Sequence, residues 1–381
     1  MAIVFPQVEQ PDASVVIVAF GGLELTRRTL ETLIENTEPG YEVVVVDNGS
    51  EPEATSFLAD QVGGATVVFN GENRGYPAAC NQGASRARGR DLVFLNNDVF
   101  VHREWLPPLL GRLSEPRVGA VGPKILNVDG SLQSAGALVA RSGSTTEYGF
   151  GQDPDALEFD FPRVADYVPG CCLAVGHTVF DSLGGFDPVF GRGYFEDVDL
   201  CFSLAGRGLR VLYEPRSRVT HVRGGSALPE GSSDPILRNR AIFERRWRHV
   251  LRLRPSSPLA RTRRRTLAAR DALARRRLLL VCSEAPPPES EDLYLDSRLA
   301  ILATERISLA APEWLRRGAE LLHGRHLLEE RRFLYDDVIV EDEARSAEFD
   351  AELARTQPQA RHWNIERRGL SAAVRERLAA A

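Results

Sequence analysis

Lysine is almost missing from this chain: Lys124 is the only one among 47 basic residues. We read that arginine usage mainly as the mark of a GC-rich genome, since arginine is otherwise selected where its planar fork is useful. Cysteine is scarce as well. The five present (Cys80, Cys171, Cys172, Cys201 and Cys282) show no CxxC spacing and form no even framework. That excludes a disulfide-stapled scaffold and points to a reducing, cytosolic setting. No apolar run approaches the roughly 18 residues needed to cross a bilayer. The N-terminus also lacks the basic-then-apolar order of a signal peptide. The expectation is a protein that works in the compartment where it is made.

What is present describes an ordinary soluble chain, 43% hydrophobic and 26% charged, with 381 residues, enough for two domains with full cores. Its net charge of −6 hides an asymmetry. From Arg238 to Arg277 there are fifteen arginines against Glu244 and Asp271, a surplus of 13 that leaves −19 on the rest. Such a block suits anionic lipid or a phosphorylated substrate, and equally a helical linker whose arginines pair with the acidic remainder. Nucleic acid is the least favoured partner, because aromatic residues are thinly interleaved.

The first third alternates strand and helix. Continuous Val/Ile/Leu runs at residues 14–20, 41–46, 65–70 and 91–95 read as strands, separated by helices at 23–35, 53–61 and 78–87. Such runs imply a mostly parallel sheet covered on both faces, and ligands of such sheets sit beyond the carboxyl ends of the strands. Two polar clusters fall at that edge: Asp47-Asn48-Gly49-Ser50 and Asn96-Asn97-Asp98. From about Trp105 helical and strand signals mix, through 118–125 and 136–139; further strands are expected at 168–175 and 209–213, with a glycine- and acid-rich loop over 142–161. Arg254-Pro255-Ser256-Ser257-Pro258 punctuates the end of a first domain at residue 253.

The most distinctive stretch is Gly193-Tyr194-Phe195-Glu196-Asp197-Val198-Asp199-Leu200-Cys201. Three carboxylates stand at the first turn of an expected helix, where unpaired N–H groups favour acidic side chains. Taken alone, the triplet reads as helix capping. A glycine- and aromatic-rich approach over 184–191 precedes it, however, and His221 follows in a second glycine-rich segment. Together these mark a catalytic site. His221 reads either as a metal ligand or as a satisfied histidine after a strand, and 224–235 as a candidate lid.

The order and spacing of these motifs resemble glycosyltransferase family 2. The run at 15–20, Val43–Val46 with Asp47-Asn48-Gly49-Ser50, Asn73-Arg74-Gly75-Tyr76 with Asn81-Gln82-Gly83, Leu95-Asn96-Asn97-Asp98, Phe195-Glu196-Asp197-Val198-Asp199-Leu200 and His221 carry the likeness over residues 12–250. The resemblance implies a GT-A nucleotide-diphospho-sugar transferase fold and an inverting, metal-dependent transfer, in a branch like the rhamnosyl- and galactofuranosyltransferases. It implies Asp197 as catalytic base, with Glu196 sharing the role or orienting the acceptor. Asp47 then recognises the base of a UDP- or dTDP-sugar, with Ala19 and Phe20 framing that pocket. Asn73, Arg74 and Asn81 fall where the family holds ribose and diphosphate, and Asn97 lies beside them. Asp98 and His221 are the implied ligands of Mn²⁺ or Mg²⁺, the imidazole favouring Mn²⁺. Asn96 replaces the first acid of the family's Asp-x-Asp. The acceptor is expected to be a glycan or a lipid-linked sugar of the cell envelope, with residues 238–277 available to an anionic membrane face. Phe243-Glu244-Arg245-Arg246-Trp247 lacks the glutamine of the processive relatives' Gln-x-x-Arg-Trp, so one or a few sugars are expected per acceptor.

Past an Arg-rich linker over 254–277, residues 278–381 read as a small Rossmann-like accessory domain without a phosphate-binding glycine signature. Strands are expected at 277–282 and 337–340, helices at 295–305, 312–322 and 344–356. Two other functions compete: a nucleotidyltransferase acting on sugar phosphates, which usually has a basic glycine-rich loop after the first strand, and a non-catalytic sugar-nucleotide-binding module.

Overall fold

The structure is a computed structural model and describes residues 2–223, 234–255, 266–267, 270–271, 277–284, 298–306, 319–322, 335–341, 347–365 and 373–374. The chain divides into two compact units, one of Met1–Pro154 with Ala165–Leu253, the other of Asp155–Val164 with Arg254–Ala381.

In the first unit, β1 (Ala13–Ala19), β2 (Tyr41–Asn48), β3 (Thr66–Asn70) and β4 (Asp91–Asn96) are joined through α1 (Leu23–Asn36), α2 (Pro52–Gln61) and α3 (Tyr76–Ala84). Every residue of β1 and β2 is buried, as unbroken runs of β-branched residues demand when both sheet faces are covered. Next come β5 (Val99–Val101), α4 (Leu106–Leu113), β6 (Val118–Leu126), β7 (Leu132–Ser134), β8 (Ala137–Val139), β9 (Thr145–Glu147), β10 (Cys172–Gly176) and α5 (His177–Leu183). The unit closes with α6 (Glu196–Gly206), β11 (Arg210–His221) and α7 (Asp234–Leu251).

The central strands lie in the order β11-β6-β10-β4-β1-β2-β3. All neighbours are parallel except β10, which runs antiparallel to both β4 and β6. Register places Asp47 opposite Ala19 and Asn96 opposite Val18, so the polar clusters share the carboxyl edge. Two local expectations change. Only Cys172–Gly176 of the run at 168–175 is strand, because Cys172 N–H turns back to the Pro169 carbonyl at 3.2 Å. The loop over 142–161 contains β9, which pairs with β8 as a short hairpin.

Among the described residues the second unit holds five parallel strands: β12 (Arg277–Glu284), β13 (Arg298–Arg306), β14 (Glu320–Leu322), β15 (Asp337–Glu341) and β16 (Arg361–Ile365), with α8 (Ala347–Thr356) before the last. Their order, β14-β13-β12-β15-β16, is that of a doubly wound sheet. One apolar layer includes Leu279, Val281, Phe349 and Leu353, the other Leu278, Leu280, Ile339 and Val374. Residues 155–164 belong to this unit: Leu157 packs on the second layer, and Phe161 lies 5.6 Å below the fully buried Arg270 guanidinium.

The helix expected at 295–305 is corrected to strand β13. Leu299, Ala300, Ile301 and Leu302 are all buried, and a short continuous apolar run does not distinguish a central strand from a buried helix. Likewise Glu320–Leu322, expected to end a helix, is strand β14. The rest of 312–322 up to residue 318, the proline-rich 285–288 and most of the 254–277 linker lie outside the described residues.

Candidate active site

Asp47 and Asn48 end β2. The Asp47 side chain is buried, and its two oxygens accept from the Ser50 N–H (2.9 Å) and the Thr55 hydroxyl (2.6 Å). The carboxylate therefore ties the strand end to α2. The Ser50 hydroxyl reaches back to the Ala19 carbonyl at 3.4 Å, while Phe20 is 40% exposed beside it. Asn48 organises the next loop: its Oδ1 accepts from Arg74 N–H (3.0 Å), and its Nδ2 donates to Asn73 Oδ1 (3.1 Å). Asn73 in turn accepts from Gly75 N–H at 2.8 Å. These two asparagines shape the loop that carries the exposed Arg74.

Asn81 stands apart from this group. Its amide donates to the Phe186 carbonyl (2.8 Å) and accepts from the Phe186 N–H (2.9 Å), so both ends are committed to the backbone below α3. Expected at the ribose or diphosphate, it is found fastening the 184–191 segment.

At the end of β4, Asn97 donates to the Gly21 carbonyl (3.2 Å) and the Thr26 hydroxyl (2.8 Å), linking this edge to the start of α1. Asp98 is 2% exposed. Its Oδ1 lies 3.4 Å from His221 Nε2, and its carbonyl accepts from Val222 N–H, which brings the end of β11 against it. His221 Nδ1 faces Gln133 Oε1 at 3.1 Å. Burial opposes a charge on His221, but Cys171 and Asp98 beside it outweigh that and push its pKa up to about 10.

Asp197 opens α6 from the other side. Its Oδ2 accepts from Gly170 N–H and its Oδ1 from Val198 N–H, each at 2.8 Å. Burial raises its pKa despite these two N–H groups, which favour the charged form. Asp197 keeps some contact with solvent, whereas Glu196 is 6% exposed and its Oε2 has no hydrogen-bond partner among the described residues. Burial, reinforced by the neighbouring Asp197, pushes the Glu196 pKa up to about 8. Expected beside the base in the cleft, Glu196 instead faces Tyr76 and Cys80 inside the protein.

Consecutive residues connect the two clusters. Gly170 holds Asp197, the Cys171 carbonyl accepts from Asn96 N–H at 2.9 Å, and the Cys171 side chain lies against His221. A Cβ at 170 would stand 3.1 Å from Asp197 Cβ and 3.3 Å from its Oδ2, so only glycine brings the backbone this close without displacing the carboxylate. Sequence reasoning missed both residues. Pro169-Gly170 inside an apparent strand was the signal, since an isolated glycine there marks a bend or a close backbone approach. Glu147 on β9 was missed too. Its Oε2 lies 3.7 Å from Arg223 Nη2, it feels His221 and Asp197, and burial raises its pKa.

Asp199 also departs from expectation. Rather than capping α6, it accepts from Arg246 Nη1 (2.6 Å) and Trp247 Nε1 (2.7 Å) of α7, while Arg246 Nη2 reaches Asp187 at 2.7 Å. The Arg-Trp pair here anchors α6. Other arginines of the 238–277 block are paired within the chain: Arg240 with Glu244, buried Arg270 with Asp271 and Glu320, Arg277 with Asp336. Residues 224–233 of the expected lid lie outside the described residues.

Among the described residues no three His, Cys, Asp or Glu side chains form a metal-binding group. Asp98 and His221 are two donors of suitable type at adjacent positions. A carboxylate and an imidazole that leave the remaining positions to phosphate oxygens and water suit a divalent ion shared with a diphosphate.

Residues 14–173 match the model of glycosyl transferase family 2. The O-antigen biosynthesis protein RfbC of Myxococcus xanthus is 32% identical over 239 residues, 59% of this chain and 19% of that protein. The pre-mycofactocin glycosyltransferase of Mycobacterium tuberculosis is 31% identical over 215 residues, 55% of this chain and 42% of that protein. The chain thus spans less than half the length of either relative. Among solved structures, GalNAc-T7 with UDP, GalNAc and Mn²⁺ superposes with a TM-score of 0.51 at 22% identity, over 64% of this chain and 49% of that one, a likeness of fold. The fold of the first unit is that of the GT-A glycosyltransferases.

Proposed function

We propose that the chain transfers a sugar from a nucleotide-diphosphate donor, UDP- or dTDP-linked, to an acceptor hydroxyl with inversion at the anomeric carbon. The observation that carries this reading is the Gly170–Cys171 link, which sets a carboxylate base and an Asp–His pair on either side of one short segment. Asp197 takes the proton of the acceptor hydroxyl as its oxygen attacks from the face opposite the departing diphosphate. Its raised pKa brings it closer to the operating pH, where a general base is most effective. Gly170 and Val198 N–H groups fix the carboxylate in place. Asp98 and His221 would hold the divalent ion, with Mn²⁺ favoured by the imidazole. When bound, such an ion neutralises charge on the leaving diphosphate. Ala19, Phe20, Asp47 and Asn97 line the edge where the nucleotide binds, with Arg74 at its rim.

The relatives named for O-antigen and mycofactocin biosynthesis support a role in building a glycan or glycosylated small molecule; we favour a cell-envelope glycan with a rhamnosyl-like donor. Five buried cysteines, none of them in a disulfide, support a reducing compartment, the cytoplasm. No helix among the described residues is long and apolar enough to cross a membrane. Exposed Arg238, Arg245 and Arg248 on α7 support contact with an anionic surface such as the inner membrane face.

The test is turnover of a panel of UDP- and dTDP-sugars with Mn²⁺, Mg²⁺ or chelator, on wild type and Asp197→Asn. Metal-dependent release of one nucleotide, reduced about 10²–10⁴-fold in the variant with nucleotide binding retained, is expected. Binding of no nucleotide-sugar under any condition would sink the reading.

A further inference from the structure

Directly before the catalytic carboxylate the backbone adopts a conformation that its residues resist. Tyr194 and Phe195 both have φ 73°, the only two consecutive non-glycine residues at positive φ among the described residues. For side chains that branch into a ring this region is sterically disfavoured, so it persists only where surrounding contacts impose it. Phe195 is also the N-cap of α6 and supplies no side-chain cap, although helices usually begin on a serine, threonine or aspartate that does. Nothing local explains why Asp197 is delivered where it is.

Three of the external contacts come from one buried amide. Asn239, on the second turn of α7 and fully buried, donates through Nδ2 to the carbonyls of Phe190 (2.7 Å), Gly193 (2.8 Å) and Tyr194 (3.0 Å). Two N–H bonds serve three acceptors, so one is forked. Its Oδ1 accepts from Arg238 Nη1 at 2.8 Å, which settles the orientation of the amide. The Arg192 carbonyl of the turn accepts from Tyr76 N–H at 3.2 Å, and that of Phe195 from Asp199 N–H at 2.9 Å.

We infer that Asn239 is a positioning residue for the transfer: by gathering three carbonyls of the strained 190–195 turn, it sets the place of Asp197 without touching substrate. The statement rests on the transferase reading for its effect on turnover. Its structural half stands on geometry alone. A side chain lacking donors takes the amide from the Gly193 and Tyr194 carbonyls and leaves the Phe190 carbonyl only the Gly193 N–H at 3.3 Å, and the turn relaxes toward ordinary backbone angles. Asp197 then loses its alignment with Gly170, while the nucleotide edge at Asp47 and Asn97, on other strands, is untouched.

The experiment compares wild type with Asn239→Ala, with Asn239→Ser, which keeps one donor, and with Arg240→Ala as a surface control on the same helix. Three quantities are read: amide hydrogen exchange of residues 194–198, affinity for UDP with Mn²⁺, and turnover of the donor panel. Exchange at 194–198 is expected to rise at least ~10-fold in Asn239→Ala and less in Asn239→Ser, with β1 and β4 unchanged. Turnover should fall about 10–100-fold at unaltered nucleotide affinity. Arg240→Ala should match wild type in all three. Unchanged exchange at 194–198, or acceleration spread evenly over the unit, would overturn the inference. So would a turnover loss matched by an equal loss of nucleotide affinity. Should Asn239→Ala not fold, Asn239→Ser decides. If wild type turns over no donor, the transferase reading fails while the exchange data still judge Asn239.

Discussion

Gly170 donates its backbone N–H to Asp197 Oδ2 at 2.8 Å, across 27 positions of sequence and with no room for a side chain between them. A methyl group there must push either the carboxylate or the 168–171 bend by a few tenths of an ångström. Gly170→Ala is therefore expected to fold with little loss of stability and to lose about 10–100-fold in turnover. Thermal unfolding and donor turnover measured together check this; full activity would show that the base tolerates displacement.

Asp199 is a buried carboxylate whose partners come from α7. Trp247→Phe keeps the ring in contact with Phe202, 5.6 Å away, but removes the N–H that reaches Asp199. A loss of about 1.5 kcal/mol is expected, as for a hydrogen bond to a charged acceptor. Denaturant titration gives the value. Arg246→Ala, which also frees Asp187, should cost more, about 2 kcal/mol after allowance for the partial exposure of the arginine.

Glu196 gives the fold a pH dependence of defined sign. Burial, then the Asp197 charge, raises its pKa to about 8 in the folded state, above the ordinary 4.5. The folded state therefore binds the proton more tightly than the unfolded one. The resulting stabilisation is complete below pH 4.5 and is lost as pH rises through about 8. Glu196→Gln should remove that slope, making the variant relatively more stable than wild type above pH 8. Parallel stability curves for the two proteins across this range would contradict the assignment.

For the Asp98–His221 pair, 3.4 Å apart, the expectation concerns Mn²⁺ in the presence of UDP. Asp98→Asn and His221→Ala should each weaken Mn²⁺ binding by about 10–100-fold, and chelator should weaken UDP binding to wild type. Calorimetric titration separates the two affinities. Metal binding unaffected by either change would place the ion elsewhere.

Much of this arrangement is legible along the chain, for an identifiable reason. The β1, β2 and β4 strands are buried on both faces, so their Val/Ile/Leu runs are unbroken, and their polar ends stand out at the edge where α/β sheets bind ligands. Strand β13 shows the limit, since its apolar run has no period to separate it from a helix. Gly170 had a local mark in Pro169-Gly170, but Cys171 and Asn239 were invisible for another reason. Both act through contacts 45 to 75 residues away in sequence, and nothing in the local pattern announces a partner at that distance. Asn81 and Glu196 carry the opposite lesson. They sit at motif positions, yet the structure turns their side chains onto the scaffold.

The ten residues Asp155–Val164 belong to a unit whose other members begin only at Arg254. During synthesis the ribosome delivers this excursion, with Leu157 and Phe161 still uncovered, long before Leu280 or Ile339 exists to receive it. No single cut releases either unit whole: truncation after Leu253 strands the excursion, and expression from Arg254 onward omits it. The chain is laced between its two halves rather than strung from one to the next.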